Sequence, residues 1–116
     1  MWIRDRAGLV ERAERETAAN ADFYLNIAFN YGGREEIARA SRRLAADVES
    51  GKLASENVTE DIFASYLDTV DMPDPDLLIR TSGEYRLSNF LLWQAAYSEL
   101  VFFDVLWPDF DRSFLE

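Results

Sequence analysis

One stretch in the second half of the sequence constrains the fold most, because it places a strand, a turn and a helix start in succession. Residues 77–79 form a short apolar run after two prolines, which is typical of a buried parallel strand. Residues 81–83, Thr-Ser-Gly, predict a small turn at the carboxyl end of that strand. Ser88 or Asn89 is then expected to cap a helix over residues 90–98.

This order of segments creates a place where an anion can bind. Ligands of open α/β sheets bind outside the carboxyl ends of the strands, and helix N-termini carry unpaired N–H donors. The sequence places Arg80 and Arg86 at this point, with Ser88 two residues further on. Two guanidinium groups and a hydroxyl suit a diphosphate better than a carboxylate. A second interpretation stays open, in which both arginines pair with nearby acids such as Glu84 or Asp76.

The rest of the sequence predicts a parallel α/β pattern. The predicted elements, in order, are a helix over residues 5–20, a strand over 23–29, a helix over 34–50, a short helix capped by Thr59, the strand at 77–79, the helix over 90–98, a strand over 100–106 and a helix beginning at Asp111. We therefore expect an α/β fold with a partial, mostly parallel sheet of about three strands and helices on its faces. Residues 1–116 are expected to form a single partial domain whose sheet keeps an unpaired edge.

Composition excludes several classes of function. The 116 residues include 12 basic and 22 acidic side chains, a net charge of −10, so nucleic acid is not an expected partner. Histidine and cysteine are both missing, which excludes disulfides, zinc–thiolate sites and Ser-His chemistry. We find neither a secretory signal nor an uncharged stretch long enough to span a bilayer, and we expect a cytoplasmic protein.

Several blocks of the sequence carry a more specific signal. Residues 76–94 read Asp-Leu-Leu-Ile-Arg-Thr-Ser-Gly-Glu-Tyr-Arg-Leu-Ser-Asn-Phe-Leu-Leu-Trp-Gln, and residues 98–100 and 106–110 continue the pattern. Residues 26–34 add Asn-Ile-Ala and Asn-Tyr-Gly-Gly-Arg. Together these blocks closely resemble the cis-prenyltransferases, with undecaprenyl diphosphate synthase as the nearest type.

The resemblance implies roles for five residues. The residues matching Arg80, Arg86 and Ser88 hold the diphosphate of isopentenyl diphosphate, and Leu87 belongs to the same substrate-binding set. The residue matching Glu99 is a Mg²⁺ ligand. In this sequence Glu99 lies between an apolar helix and an apolar strand, where a cation would relieve an unpaired carboxylate. A surface carboxylate at the end of the helix is the alternative.

The sequence also departs from the family pattern. The family opens with Asp-Gly-Asn-x-Arg, which supplies a Mg²⁺-binding Asp and the loop for the allylic diphosphate, such as farnesyl diphosphate. None of the five glycines, at positions 8, 32, 33, 51 and 83, lies in that motif. The chain thus resembles the second half of a synthase, contains no implied catalytic residue, and is expected to lack turnover alone.

Three interpretations of how such a chain exists remain open. We expect a homo-oligomer, because the unpaired edge and the apolar faces need cover. A non-catalytic partner subunit that completes a site with a separate first-half chain is the second option, and a diphosphate-binding remnant is the third. Peripheral contact with a membrane also stays open.

Overall fold

The computed structural model describes residues 2–116, with side chains from Arg6 onward. The regular elements are the helices α1 (Trp2–Thr17), α2 (Gly33–Glu49) and α3 (Glu60–Ala64), the strands β1 (Leu77–Arg80) and β2 (Glu99–Phe102), and short 3₁₀ helices at Ser55–Asn57, Trp107–Asp109 and Arg112–Phe114. Within residues 2–116, none of the helices combines the length and the apolar character needed to cross a membrane.

The two strands form a parallel sheet, as the sequence predicts. Leu77 pairs with Glu99 at one end of the ladder, and Arg80 pairs with Phe102 at the other end. Leu78 is buried at the centre of β1. The α/β class and the parallel pairing are confirmed, whereas the sheet of the described residues has two strands instead of about three.

The missing third strand is the one predicted over residues 23–29. The alternation of apolar side chains is present, but the segment forms no ladder with any described residue, so this prediction is wrong. Its side chains are exposed, Phe23 to 80% and Phe29 to 60%. A strand requires a neighbour for its backbone N–H and C=O groups, and alternation alone does not supply one.

The helix predicted over residues 90–98 is also wrong, because the structure has a series of turns there. The N–H of Ala95 donates to the carbonyl of Leu91 at 2.8 Å, which makes a single helical turn, and the pattern does not continue. Leu91 itself has φ +45°, in the left-handed region that interrupts a right-handed helix. Tertiary contacts of the preceding loop impose this backbone, as described below.

The helices α2 and α3 follow their local signals, whereas α1 begins and ends three residues earlier than predicted, at Trp2 and Thr17. Glu35 and Glu36 lie in the first turn of α2, where carboxylates interact favourably with the helix dipole, and the bounds of this helix match the prediction within one residue at each end. Thr59 caps α3 by accepting a hydrogen bond from the N–H of Ile62, as expected. The helix expected after Asp111 is a 3₁₀ turn, which the Asp111 side chain caps.

A buried carboxylate ties these elements together. Glu36 is only 2% exposed, and its oxygens accept hydrogen bonds from the Tyr31 hydroxyl at 2.5 Å and the Asp68 N–H at 2.9 Å. The side-chain amide of Gln94 donates to the same carboxylate at 3.0 Å and to Thr69 at 3.0 Å. Burial raises the pKa of Tyr31, and the hydrogen bond to Glu36 raises it further. The network joins α2 to the segments before β1 and before β2.

We predict that Glu36 is a major source of stability. Glu36→Ala leaves three donors without their acceptor, and a buried polar group left unsatisfied costs about 1–3 kcal/mol. We therefore expect the free energy of unfolding, measured with urea, to fall by about 2–4 kcal/mol. Glu35→Ala is the matched control, because Glu35 is an exposed neighbour that pairs only with Arg39 within the described residues. It should change stability by less than about 0.5 kcal/mol, and equal losses would contradict the prediction.

Candidate functional site

The candidate site is built on Arg80, the last residue of β1. Its carbonyl accepts from the N–H of Phe103 at 2.9 Å, which extends the pairing of the two strands beyond the ladder. Its guanidinium Nη1 donates to the carbonyl of Arg86 at 2.5 Å and to the Ser88 hydroxyl at 2.6 Å. Arg80 therefore closes residues 81–88 into a ring-shaped loop, and it contacts the side chain of Ser88 and the backbone of Arg86.

The turn at the start of this loop is fixed by backbone contacts. The N–H of Ser82 donates to the carbonyl of Val105 at 2.7 Å, and that of Gly83 donates to the carbonyl of Phe103 at 3.0 Å. Gly83 has φ +67°, which a glycine adopts without strain. A Cβ at this position would also lie 3.3 Å from Oδ1 of Asp104. The predicted turn over residues 81–83 is thus confirmed, and its glycine has a steric reason.

Tyr85 anchors the middle of the loop. Its hydroxyl donates to Asp104 Oδ1 at 2.6 Å, and its ring lies 5.5 Å from that of Phe102. The hydrogen bond to Asp104 raises the pKa of Tyr85 above its ordinary value. This pair was not predicted as part of the site, because residues 19 positions apart give no local signal.

The two arginines have different environments. Arg86 is exposed and forms an ion pair with Glu84 at 2.8 Å, so the pairing with an acid that we left open is observed for Arg86. Arg80 is half-buried and bonds to the loop instead. Leu87 is half-buried, and its carbonyl accepts from the N–H of Phe90 at 3.2 Å, so its role here is to shape the turn.

The loop ends in an unusual backbone. Ser88 has φ +49° and Asn89 has φ +65°, so two consecutive non-glycine residues occupy the left-handed region. Such residues persist where the surrounding contacts hold them, and they cluster at functional sites. Neither residue begins a helix, so the helix N-terminus that we expected to help bind an anion is not formed here.

Glu99 lies apart from this loop. It pairs with Leu77 at the start of the parallel ladder, whereas Arg80 is at the opposite end. Three residues of strand separate the two levels, which is about 10 Å at the usual rise per residue. The structure therefore places Arg80 against Ser88 and the backbone of Arg86, and it leaves Glu99 at the opposite end of the ladder.

The geometry offers no complete metal site around Glu99. Among residues 2–116, no group of three or more His, Cys, Asp or Glu side chains is placed to hold a metal ion. Glu99 is exposed and supplies one carboxylate, which is fewer ligands than a protein site for Mg²⁺ normally needs without substrate oxygens.

A cleft lies outside the loop formed by residues 81–88. Its volume is about 580 Å³, and its lining includes Ile27, Phe29, Met72 and Phe90 but not the residues of the predicted site. The charged residue Arg39 at its wall already makes two hydrogen bonds of 2.8 Å to Asp68 and further contacts to Glu35. The guanidinium lowers the pKa of Asp68. Because Arg39 is paired with two carboxylates, whereas Arg86 is paired with one and Arg80 with none of those described, the cleft is a poorer place for a diphosphate than the loop after β1.

Comparison with known proteins gives the following relatives. A family model of undecaprenyl diphosphate synthase matches residues 4–116. An isoprenyl transferase of Agrobacterium fabrum is 58% identical over 109 residues, which are 94% of this chain and 44% of that protein. An isoprenyl transferase of Geobacillus kaustophilus is 60% identical over 108 residues, or 92% of this chain and 42% of the relative. The chain thus spans less than half the length of the curated relatives it matches.

Solved structures of two prenyl diphosphate synthases also match this chain. Lavandulyl diphosphate synthase from Lavandula x intermedia, solved in complex with dimethylallyl diphosphate, matches with a TM-score of 0.85 and 43% identity. That match covers 90% of this chain and 45% of the plant protein. A protein described as a probable undecaprenyl diphosphate synthase from Campylobacter jejuni matches with a TM-score of 0.73 and 34% identity, over 97% of this chain and 49% of the other.

We predict that the Arg80 side chain keeps the loop closed. Arg80→Lys retains the charge but removes the planar group that reaches both loop acceptors, so the loop should open more often. We expect amide hydrogen exchange of residues 86–90 to accelerate on the order of tenfold. Arg112→Lys is the control, because Arg112 pairs with Glu116 on the exposed C-terminal turn. Unchanged exchange in Arg80→Lys would contradict this role.

Proposed function

The chain belongs to the undecaprenyl diphosphate synthase family of prenyltransferases, and on that premise we propose that it carries the isopentenyl diphosphate site of a cis-prenyltransferase. The complete reaction would condense isopentenyl diphosphate with an allylic diphosphate such as farnesyl diphosphate. The observation that carries this proposal is the loop at the carboxyl end of β1, in which Arg80 holds the Ser88 hydroxyl and the backbone carbonyl of Arg86.

The donors of this loop suit the oxygens of a diphosphate. Nη1 of Arg80 holds the Ser88 hydroxyl, so a guanidinium and a hydroxyl lie within hydrogen-bond distance of each other. The Arg86 side chain belongs to the same loop and is exposed. Arginine binds phosphate oxygens through planar, paired hydrogen bonds, which gives both charge and orientation. The plant neighbour solved with dimethylallyl diphosphate supports the same class of ligand.

Magnitudes favour ligand binding over the existing ion pair. The Arg86–Glu84 pair is exposed, and such pairs contribute about 0–1 kcal/mol. A hydrogen bond to a charged group contributes about 1.5–3 kcal/mol. Arg86 can therefore exchange Glu84 for a diphosphate oxygen with a net gain. Glu84 in turn holds the side chain near the site in the absence of ligand.

The proposed Mg²⁺ ligand Glu99 requires help from outside this chain. Mg²⁺ commonly takes one or two carboxylates together with substrate phosphates and waters. Glu99 can serve as one such carboxylate, but its distance from Arg80 along the sheet places it away from the diphosphate site proposed here.

Turnover needs groups that residues 1–116 do not contain. The departure of the allylic diphosphate requires cationic groups or a metal at the leaving oxygens. Arg80 and Arg86 are assigned to the other substrate, and the Asp-Gly-Asn motif of the family does not occur in this sequence. We therefore propose that residues 1–116 form a single partial domain that binds one substrate and is inactive alone.

The exposed segment over residues 23–29 indicates what kind of partner would bind this chain. Its alternate side chains are 60–80% exposed, namely Phe23, Leu25, Ile27 and Phe29. A soluble protein seldom leaves so much contiguous apolar surface uncovered, and an extended backbone without pairing is ready to accept a strand. Buried Oε1 of Gln94 also has no hydrogen-bond partner among the described residues. The covering element must supply strand pairing, apolar contact and one donor.

A polypeptide equivalent to the unmatched part of the relatives meets those requirements. The relatives carry more than half of their length outside the match, and such a polypeptide would bring the missing strands and the allylic site together. A homo-oligomer, the other partner we expect, can cover apolar surface but adds no new type of strand. The place of assembly proposed is the cytoplasm, since the sequence and composition suit it.

The substrate site predicts a measurable affinity. Isopentenyl diphosphate should bind the chain, and Arg86→Ala should weaken binding by about 1.5–3 kcal/mol through loss of a charged hydrogen bond. Isothermal titration calorimetry measures both. Arg112→Ala is the control, because it removes another exposed arginine that is paired with a carboxylate, that of Glu116. Equal affinity of Arg86→Ala and the parent chain would count against the site.

The partner proposal predicts activity by complementation. We expect the isolated chain not to elongate farnesyl diphosphate with isopentenyl diphosphate and Mg²⁺. After coexpression with the unmatched part of the Geobacillus kaustophilus relative, we expect a one-to-one complex by sedimentation and polyprenyl products. Inclusion of Arg86→Ala in the complex should lower product formation. Products from the isolated chain, or a stable monomer in the presence of the second polypeptide, would contradict the proposal.

A further inference from the structure

Asn89 contacts α2 although 55 residues separate it from Arg34. The N–H of Gly33 donates to the backbone carbonyl of Asn89 at 2.6 Å, and the N–H of Arg34 donates to its side-chain Oδ1 at 2.9 Å. Gly32, the residue before the helix, provides no side-chain cap. The first N–H groups of a helix lack partners inside the helix. Asn89 supplies them, so it acts as the cap of a distant helix.

Two glycines permit this approach. A Cβ on Gly32 would lie 2.9 Å from Nδ2 of Asn89. A Cβ on Gly33 would lie 2.9 Å from Cγ of Leu92 and 3.1 Å from the carbonyl oxygen of Asn89. Atoms of real side chains do not pack that closely, so the loop can reach the helix only where both residues lack a side chain. The contact also continues in the edge-to-face packing of Tyr31 on Phe90 at 5.6 Å.

The contact bears directly on Ser88. Ser88 and Asn89 are consecutive and both have positive φ, which side chains tolerate poorly unless neighbouring contacts impose it. Nη1 of Arg80 holds Ser88 from one side, and the first turn of α2 holds Asn89 from the other. The backbone of this dipeptide is therefore fixed at two adjacent points. The position of the Ser88 hydroxyl depends on both.

We propose that Asn89 is a positioning residue for the diphosphate site, acting through Ser88 rather than on the ligand. Its Oδ1 already accepts a hydrogen bond from the N–H of Arg34, and its backbone carbonyl accepts one from the N–H of Gly33. Without the cap, the loop relaxes from its left-handed backbone, and the Ser88 hydroxyl moves away from Arg80. The inference rests on the proposed function of this loop, and it adds the helix α2 to the parts that determine affinity.

The test compares two lost helix caps. Asn89→Ala removes the side-chain acceptor for the N–H of Arg34 in α2. Thr59→Ala removes the equivalent side-chain acceptor of α3, which lies outside the loop. Both should lower thermal stability by a similar amount. Only Asn89→Ala should weaken the binding of isopentenyl diphosphate, by about tenfold, which is about 1.4 kcal/mol. Asn89→Gly, which adopts positive φ without strain, serves as the second variant if Asn89→Ala does not fold.

The outcomes separate the possible causes. Asn89→Ser keeps a hydroxyl acceptor for the helix, so its affinity should return to within about threefold of the parent chain. If Asn89→Ala and Asn89→Gly bind isopentenyl diphosphate as tightly as the parent chain, the positioning role is overturned and the proposed site is left intact. A loss in Asn89→Ser as large as in Asn89→Ala also overturns it, because the amide would then contact the ligand. No binding by the parent chain overturns the proposed site and the positioning role with it.

Discussion

The first turn of α2 is the constraint on which the other parts of this structure depend. Its buried Glu36 accepts hydrogen bonds from three separate segments. Asn89 caps the backbone N–H groups at the start of the helix. A buried carboxylate without these donors would be strongly unfavourable, so the segments that supply them cannot move independently. The small sheet contributes one buried leucine, whereas this polar junction fixes the relative positions of α2, the approach to β1 and the loop after it.

The sequence predicted those elements whose signals are local. The helix α2 with its predicted bounds, the Thr59 cap of α3 and the apolar strand before Arg80 are all present. The two wrong elements depended on contacts that the local pattern does not contain. Residues 23–29 alternate correctly but lack a neighbouring strand, and residues 90–98 have helical composition but follow a backbone that α2 holds in left-handed positions. Asn89 does cap a helix, but a different helix from the predicted one.

The candidate site was predictable in a similar way. The grouping of Arg80, Arg86 and Ser88 follows from their positions on one short loop after a strand. The separation of Glu99 follows from strand direction: Arg80 ends β1, Glu99 begins β2, and parallel strands place such residues at opposite ends. Roles of Tyr85 and Asn89 could not be found by spacing, because their partners are distant along the chain.

The fixed loop explains how a strongly acidic chain can hold an anion. With a net charge of −10, the protein as a whole repels a diphosphate, but salt at cellular strength screens that repulsion beyond about 8 Å. Close contacts therefore decide the affinity, and they depend on how much ordering the ligand must impose. Here Arg80, Asp104 and α2 already hold the loop in the absence of ligand. A loop that is ordered before binding leaves more of the arginine–diphosphate interaction for affinity.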